Sequence, residues 1–338
     1  MNKLGNMDEN DVKFLIIRLS SIGDIVLTTP VIRCLKKQVP NSIIHFITKP
    51  QYVEILKFNP YIDKIHVYEN FHKTIEEIKA EGFDYIIDLH KNLRSKRIIN
   101  KIKILDFSFP KLNFEKFLIV NFKINKLPDI HIVDRYFEAV KLFDVKNDNK
   151  GLDFFLDEFI KQELFSKSII LPEKYIAFAI GAQHNTKKLP TAKIIEICNK
   201  INCKIVLLGG KEDSANSSLI KESCNNTIDL CGKISLQASA YIVKESFAVI
   251  THDTGLMHIA AAFKKNIISV WGNTIPEFGM SPYLSGESSK IFEINDLKCR
   301  PCSKLGKKKC PKKHFKCMNK QNSDKIAEYI NQLLNKNT

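Results

Sequence analysis

The strongest constraint on the fold is an alternation, run through twice, of short apolar stretches with longer stretches of helical spacing. Phe14-Leu15-Ile16-Ile17-Arg18-Leu19 is compact and apolar enough for a parallel strand covered on both faces. Ser20-Ser21-Ile22-Gly23-Asp24 breaks it, and residues 25–38 follow with the spacing of a helix whose early part holds Pro30. Strand patterns at 42–48, 64–68 and 85–89 then alternate with helical patterns at 51–59 and 72–81. Repeated βα units with short connections imply a doubly wound parallel sheet, whose two faces are covered by the crossover helices.

The second series starts at Tyr175-Ile176-Ala177-Phe178-Ala179-Ile180. Strand patterns at 204–208, 227–230 and 267–272 and helical patterns at 191–200, 213–222 and 236–244 continue it. Two similar α/β lobes are therefore expected, at 13–160 and 161–322, after a flexible N-terminus at 1–12 and before a C-terminal helix at 323–338. A chain of 338 residues is long enough for two domains of moderate size, each with its own core. Residues 91–126 mix basic and apolar side chains without clear period, 130–143 look helical, and 144–168 are polar and irregular. The interdomain region is placed in that last stretch, and the closing helix is expected to pack back against the first lobe.

Apolar content of 44% with 26% charged residues is globular rather than disordered composition. Residues 1–11 are polar and acidic with no apolar signal region, and no run of about 18 apolar residues occurs, so a cytoplasmic location is the default. The formal charge is +15, which points to an anionic partner: nucleic acid, lipid headgroups or phosphorylated sugars. Residues 298–320 hold ten Lys or Arg and no Asp or Glu, so much of the excess sits in one segment.

Residues 249–262 read as a strand, a polar turn and a helix of small residues. A helix start leaves backbone N–H groups unpaired and carries partial positive charge, so it can hold a phosphate without a lysine. Thr254 can add a hydroxyl, and Gly255 admits a ligand close to the backbone; an ordinary junction capped by Asp253 explains the same letters. Ligands in open α/β sheets bind beyond the carboxyl ends of the strands. That rule selects residues 20–24, 181–188, 209–213 and 252–258. No G-x-G-x-x-G or G-x-x-x-x-G-K-[ST] occurs, which argues against a dehydrogenase or a P-loop nucleotidase.

Taken together these loops resemble the ADP-heptose:lipopolysaccharide heptosyltransferases, glycosyltransferase family 9. The resemblance rests on Ser20-Ser21-Ile22-Gly23-Asp24 with Thr29-Pro30, on Lys187-Lys188-Leu189-Pro190, on Leu208-Gly209-Gly210, on Gly232-Lys233-Ile234-Ser235-Leu236 and on Asp253-Thr254-Gly255-Leu256-Met257-His258. It implies two Rossmann-like doubly wound lobes facing a cleft, the GT-B fold, with the donor on the second lobe and the acceptor on the first. It further implies inverting transfer of heptose, or a related sugar, from an ADP-sugar to an anionic lipopolysaccharide-core acceptor.

Inverting transfer needs a base for the acceptor hydroxyl while the nucleotide diphosphate leaves from the opposite face. Asp24 matches the family's proposed base; a first-turn or capping carboxylate is the plainer alternative. Lys187 matches the lysine that meets the donor phosphates, with Lys188 beside it, and Leu189 stands where the family usually has Trp. Thr254, Gly255 and Leu256 at the helix start, with Asp253 and His258, match positions near the diphosphate and sugar. Glu212 or Asp213 would meet the ribose and Ile234 the adenine. On the acceptor side Arg94 matches a basic family position, with Arg18 and Lys91 as companions.

Cys299, Cys302, Cys310 and Cys317, with His314 among them, supply enough thiolates for a structural zinc site. A nucleic-acid knuckle or plain reduced thiols remain alternatives. Cys34, Cys198, Cys203, Cys224 and Cys231 are scattered and suit small buried hydrophobes. No D-x-D stands at a candidate strand end, so the transfer itself is expected to need no divalent ion. The expected partners are an ADP-sugar donor and an anionic glycolipid at the inner leaflet, with no nucleic acid, for a monomer that is cytoplasmic and peripheral on the inner membrane. Two contrasting readings are a transferase of the same GT-B fold for a different sugar nucleotide or a non-lipid acceptor, and a basic nucleic-acid-binding protein using residues 298–320.

Overall fold

The computed structural model describes residues 11–336, so the expectation of a flexible N-terminus falls, for residues 1–10, outside the described residues. The chain forms two compact units. Among the described residues the first comprises 11–111 together with 132–155, and the second comprises 112–131 and 156–336.

The first unit carries the strands β1 (Val12–Ile17), β2 (Ser42–Thr48), β3 (Lys64–Val67), β4 (Tyr85–Asp88) and β5 (Leu105–Ser108), all parallel, in the order β3-β2-β1-β4-β5. Its helices are α1 (Ile22–Val26), α2 (Thr29–Gln38), α3 (Val53–Leu56), α4 (Phe71–Glu81) and α5 (Leu93–Ile102). The single helix expected over 25–38 is two. Thr28 and Thr29 turn their hydroxyls back to the carbonyls of Ile25 and Val26, both at 2.7 Å, and Pro30 lacks the N–H that would continue the ladder. Residues 91–126, weak in period, hold α5, β5 and α6 (Asn113–Phe122), the last a helix of the second unit. The chain returns to the first unit for α7 (Ile132–Phe137).

The second unit resumes with α8 (Ile160–Ser166) inside a stretch expected to be irregular. Its sheet is also parallel throughout, with β6 (Tyr175–Ala179), β7 (Lys204–Leu208), β8 (Thr227–Asp229), β9 (Ala248–His252), β10 (Ile267–Trp271) and β11 (Lys290–Glu293) in the order β11-β10-β9-β6-β7-β8. The helices α9 (Thr191–Cys198), α10 (Ser214–Ser223), α11 (Leu236–Glu245) and α12 (Gly255–Ala262) alternate with these strands, and α13 (Lys316–Asn319) and α14 (Ser323–Lys336) follow. Strand interiors such as Ile176, Phe178, Ile205 and Ile250 are fully buried, as a sheet covered on both faces requires.

The expectation that the closing helix docks on the first lobe is not met. Ile326, Ile330, Leu333 and Leu334, spaced at i, i+4, i+7 and i+8, form one apolar stripe of α14 that joins Ile194, Ile197 and Cys198 of α9 in the second unit's core. Ser323 also donates to Glu196 at 2.7 Å, and Asn331 donates to the Lys200 carbonyl at 2.7 Å.

Candidate functional site

In each sheet the strand order reverses at one place, between β1 and β4 in the first unit and between β6 and β9 in the second. The loops leaving these four strands are where a doubly wound sheet opens a ligand crevice.

In the first unit Asp24 stands in the opening turn of α1, just past β1. Ser21 donates to its Oδ2 from the hydroxyl at 2.6 Å and from the backbone at 3.3 Å, and Arg18 Nη2 lies 2.5 Å from Oδ1. Both oxygens are oriented by the chain itself, and about a quarter of the side chain stays open to solvent. Asp24 therefore serves the helix start and is also presented outward. Arg18 is buried rather than available to an acceptor, because it donates to Ser20 O at 2.8 Å and to Leu89 O. Burial works to lower its pKa, but Asp24, the Tyr136 hydroxyl and Asp88 outweigh burial and hold the guanidinium above its ordinary value.

The loop after β4 is ordered by Asp88, which the sequence reading passed over. Its Oδ1 accepts from the His90 and Lys91 backbones at 2.9 and 2.8 Å, and its Oδ2 accepts from Ser95 Oγ at 2.7 Å. The signal was available, since Asp88 ends a strand at the crossover. Arg94 and Lys91 are exposed, and Lys91 Nζ donates to Phe109 O at 2.7 Å. Burial and the nearby charges of Arg18 and Lys111 push His90 down to about 3.

In the second unit Lys187 Nζ lies 2.6 Å from Asp253 Oδ2, which also accepts from Thr274 Oγ1 at 2.8 Å. The structure thus brings together two residues 66 positions apart, each at the mouth of a crossover strand. The N-cap of α12 is Thr254 rather than Asp253. Its hydroxyl meets Thr251 Oγ1 at 3.2 Å instead of capping the helix, so no side-chain cap occupies the first N–H groups of α12. Gly255 and Leu256 are half-buried beside them, whereas His258 is buried at 2% exposure one turn further in.

Lys188 turns the other way and pairs with buried Asp213 at 2.6 Å. Gly210 N–H also donates to Asp213, at 3.0 Å. Gly181 is what makes room for this clamp: a Cβ there would lie 2.2 Å from Asp213 Oδ2. Glu212, next in sequence, is exposed and lines a cavity of about 540 Å³ with Lys188, Leu189, Asn216, Phe315 and Asn319. Ile234 is half-buried and does not line it.

The cysteine segment proves to be a buttress for these loops. Thr186 and Lys307 exchange backbone and hydroxyl hydrogen bonds at 2.8–3.1 Å, immediately before Lys187. Arg300 donates to Gly272 O at 2.6 Å and to Thr274 O at 2.9 Å, the carbonyl of the threonine that holds Asp253. All four clustered cysteines are free thiols, Cys299 Sγ lies 3.7 Å from His314 Nε2, and burial pushes Cys317 up to about 11. The four cysteines are nonetheless neighbours, since burial and then the charges of the other clustered thiols raise both Cys302 and Cys317, although no three of these ligand atoms gather within 4.8 Å. Among the described residues the group that does is His45, His66 and Glu81 in the first unit, within 4.8 Å of one another.

Two parallel doubly wound units with charge gathered at their crossover strands have the architecture of the GT-B class. The sequence matches glycosyltransferase family 9 (heptosyltransferase) over residues 71–314, and the chain belongs to that family. It is 27% identical over 289 residues to lipopolysaccharide heptosyltransferase 1 of Campylobacter coli, covering 78% of this chain and 84% of that one. Its fold is similar to that of a family 9 glycosyltransferase from Veillonella parvula, with a TM-score of 0.78 and 23% identity over 98% of this chain and 100% of that one. It is similar also to E. coli ADP-heptose lps heptosyltransferase II, with a TM-score of 0.74 and 18% identity over 96% and 99%. The protein is a glycosyltransferase. No helix among the described residues is long and apolar enough to cross a membrane.

Proposed function

We propose that the protein transfers heptose, or a closely related sugar, from an ADP-activated donor to an anionic acceptor of the lipopolysaccharide core, inverting the anomeric carbon. The observation that carries this reading is the convergence of Lys187, Asp253 and the uncapped start of α12 at the second unit's crossover strands. A cation and free backbone N–H groups together suit a leaving diphosphate, whose charge grows as the glycosidic bond breaks. Glu212, exposed on the neighbouring cavity, suits the ribose hydroxyls, whereas the assignment of Ile234 to the adenine rests on the family resemblance alone.

In the chemical step Asp24 takes the proton of the acceptor hydroxyl, and the oxygen attacks the anomeric carbon. The bond from that carbon to the β-phosphate oxygen breaks, and ADP departs with its new charge on Lys187 and the α12 amides. The side-chain fixation of Asp24 by Ser21 and Arg18 supports this role, because a base must be aimed before it is useful. Exposed Arg94 and Lys91 suit the acidic groups of the acceptor.

The relatives' names indicate heptose, and a donor screen tests it. ADP and ADP-sugars should raise the melting temperature, since a ligand at about 100 times its Kd adds about 2.7 kcal/mol to the folded state. Lys187→Ala should abolish most of that shift. Equal stabilisation by uridine and adenosine nucleotides, or an unchanged shift in the variant, would count against the assignment.

A further inference from the structure

The helix α6 is apolar on both sides. Ile119 on one face packs with Ile275 and Phe278, as the core of a surface helix should. On the other face Phe114, Phe117 and Phe122 are 67%, 52% and 61% exposed, and the rings of Phe117 and Phe122 stand 5.8 Å apart. Phe114, Phe117 and Phe122 lie at i, i+3 and i+8, within about 140° of the helix circumference, so the exposed phenylalanines share one broad face and are not scattered. A soluble surface has no use for such a stripe unless something apolar covers it.

The lysine-rich segment is fastened to the same helix. Lys123 Nζ, at the end of α6, donates to Pro301 O at 2.6 Å, and Lys304 Nζ reaches Asn113 Oδ1 at its start. Leu305, 65% exposed, follows directly, and Lys308 and Lys309 beyond it are exposed, as is Lys126 after the helix. An apolar stripe and a cationic rim thus share one side of the second unit. A second copy of this face would set lysine against lysine, whereas an anionic lipid surface answers both features, taking the rings between its headgroups and the lysines at their phosphates.

We propose that α6, with residues 304–309, docks the enzyme onto an anionic membrane surface by inserting Phe114, Phe117 and Phe122. This deepens the reading of the acceptor as a glycolipid and rests on it only for its purpose, not for its geometry.

The test is flotation of the full chain with phosphatidylglycerol–phosphatidylethanolamine vesicles against phosphatidylcholine vesicles. The parent should bind the anionic vesicles, and more weakly as salt rises. F114S/F117S/F122S and, separately, K126Q/K308Q/K309Q should each weaken binding by at least about tenfold. Both variants should keep the parent's thermal shift with ADP, which separates lost docking from lost folding. Because Trp271 is buried, F117W gives an independent probe, and its emission should move to the blue on adding anionic vesicles. No binding by the parent, no emission shift in F117W, or a phenylalanine variant that binds vesicles like the parent would each overturn the proposal. A phenylalanine variant that changes only the sedimentation coefficient would instead assign the stripe to a second copy. Failure of ADP to bind the parent would sink the donor assignment while leaving the vesicle result to stand.

Discussion

The individual side chains in this protein divide by what they hold. Asp24, Asp88, Asp213 and Asp253 each orient a loop at a strand end, and each does so through two or more short contacts. Histidines sit deeper. Burial pushes both His45 and His252 down to about 4, His252 while accepting the Leu189 N–H at 3.0 Å. A histidine with a lower pKa folded than unfolded takes up a proton on unfolding anywhere between the two values. Its stabilising contribution is therefore whole above about pH 6.5 and is lost as the pH falls toward 4, about 2 kcal/mol for each residue by pH 5. Urea unfolding at pH 7.5 and pH 5 should show that loss, reduced in His45→Gln. The carboxylate of Asp148, held down to about 2 by its hydrogen bonds from Arg33, acts only below its own unfolded value near 4 and so leaves this window untouched. Equal stability at the two pH values would show that the histidines are not buried neutral.

At the scale of elements, the second unit's loops work as a clamp. Asp213 ties the β7 loop to Lys188 in the β6 loop, and it fits only because position 181 has no side chain. Gly181→Ala should force Asp213 off Lys188 and leave a buried charge unpaired, lowering the melting temperature by about 6–10 °C and weakening ADP binding. A variant with an unchanged melting curve would mean that the clamp carries no weight. The strands and the larger helices were legible in the sequence because apolar runs and 3.6-residue spacing are local signals, as in β6 and α11. What escaped was decided by packing across the chain. The helix α6, apolar on both faces, has no clean moment to read, and α14 chose α9 through its stripe of Ile326, Ile330 and Leu333. The contact of Lys187 with Asp253 joins segments far apart in sequence, and only their common position at strand ends foretold it. Nothing local announced that Thr186 would bond Lys307, so the lysine-rich segment looked independent of the strand-end loops that it supports.

For the molecule as a whole, two parallel sheets supply two kinds of chemistry. The first unit offers an aimed carboxylate beside exposed arginine and lysine, and the second offers a lysine, a carboxylate and a helix start suited to a diphosphate. The excess of positive charge, +15 over 338 residues, suits both an anionic donor and an anionic acceptor surface. In the proposed reaction Asp24 is the base of a sugar transfer from an ADP-activated donor. Steady-state transfer of heptose from ADP-heptose to a lipopolysaccharide-core acceptor, compared between the parent and Asp24→Asn, tests it most directly. Asp24→Asn should lower kcat about 10³-fold with the donor KM unchanged, because Asn keeps the shape of the side chain but loses the charge that takes the proton and pairs with Arg18; an unchanged thermal shift with ADP separates the lost base from a disturbed fold. An Asp24→Asn enzyme that turned over within about tenfold of the parent would contradict that role, since a lost general base costs more than that.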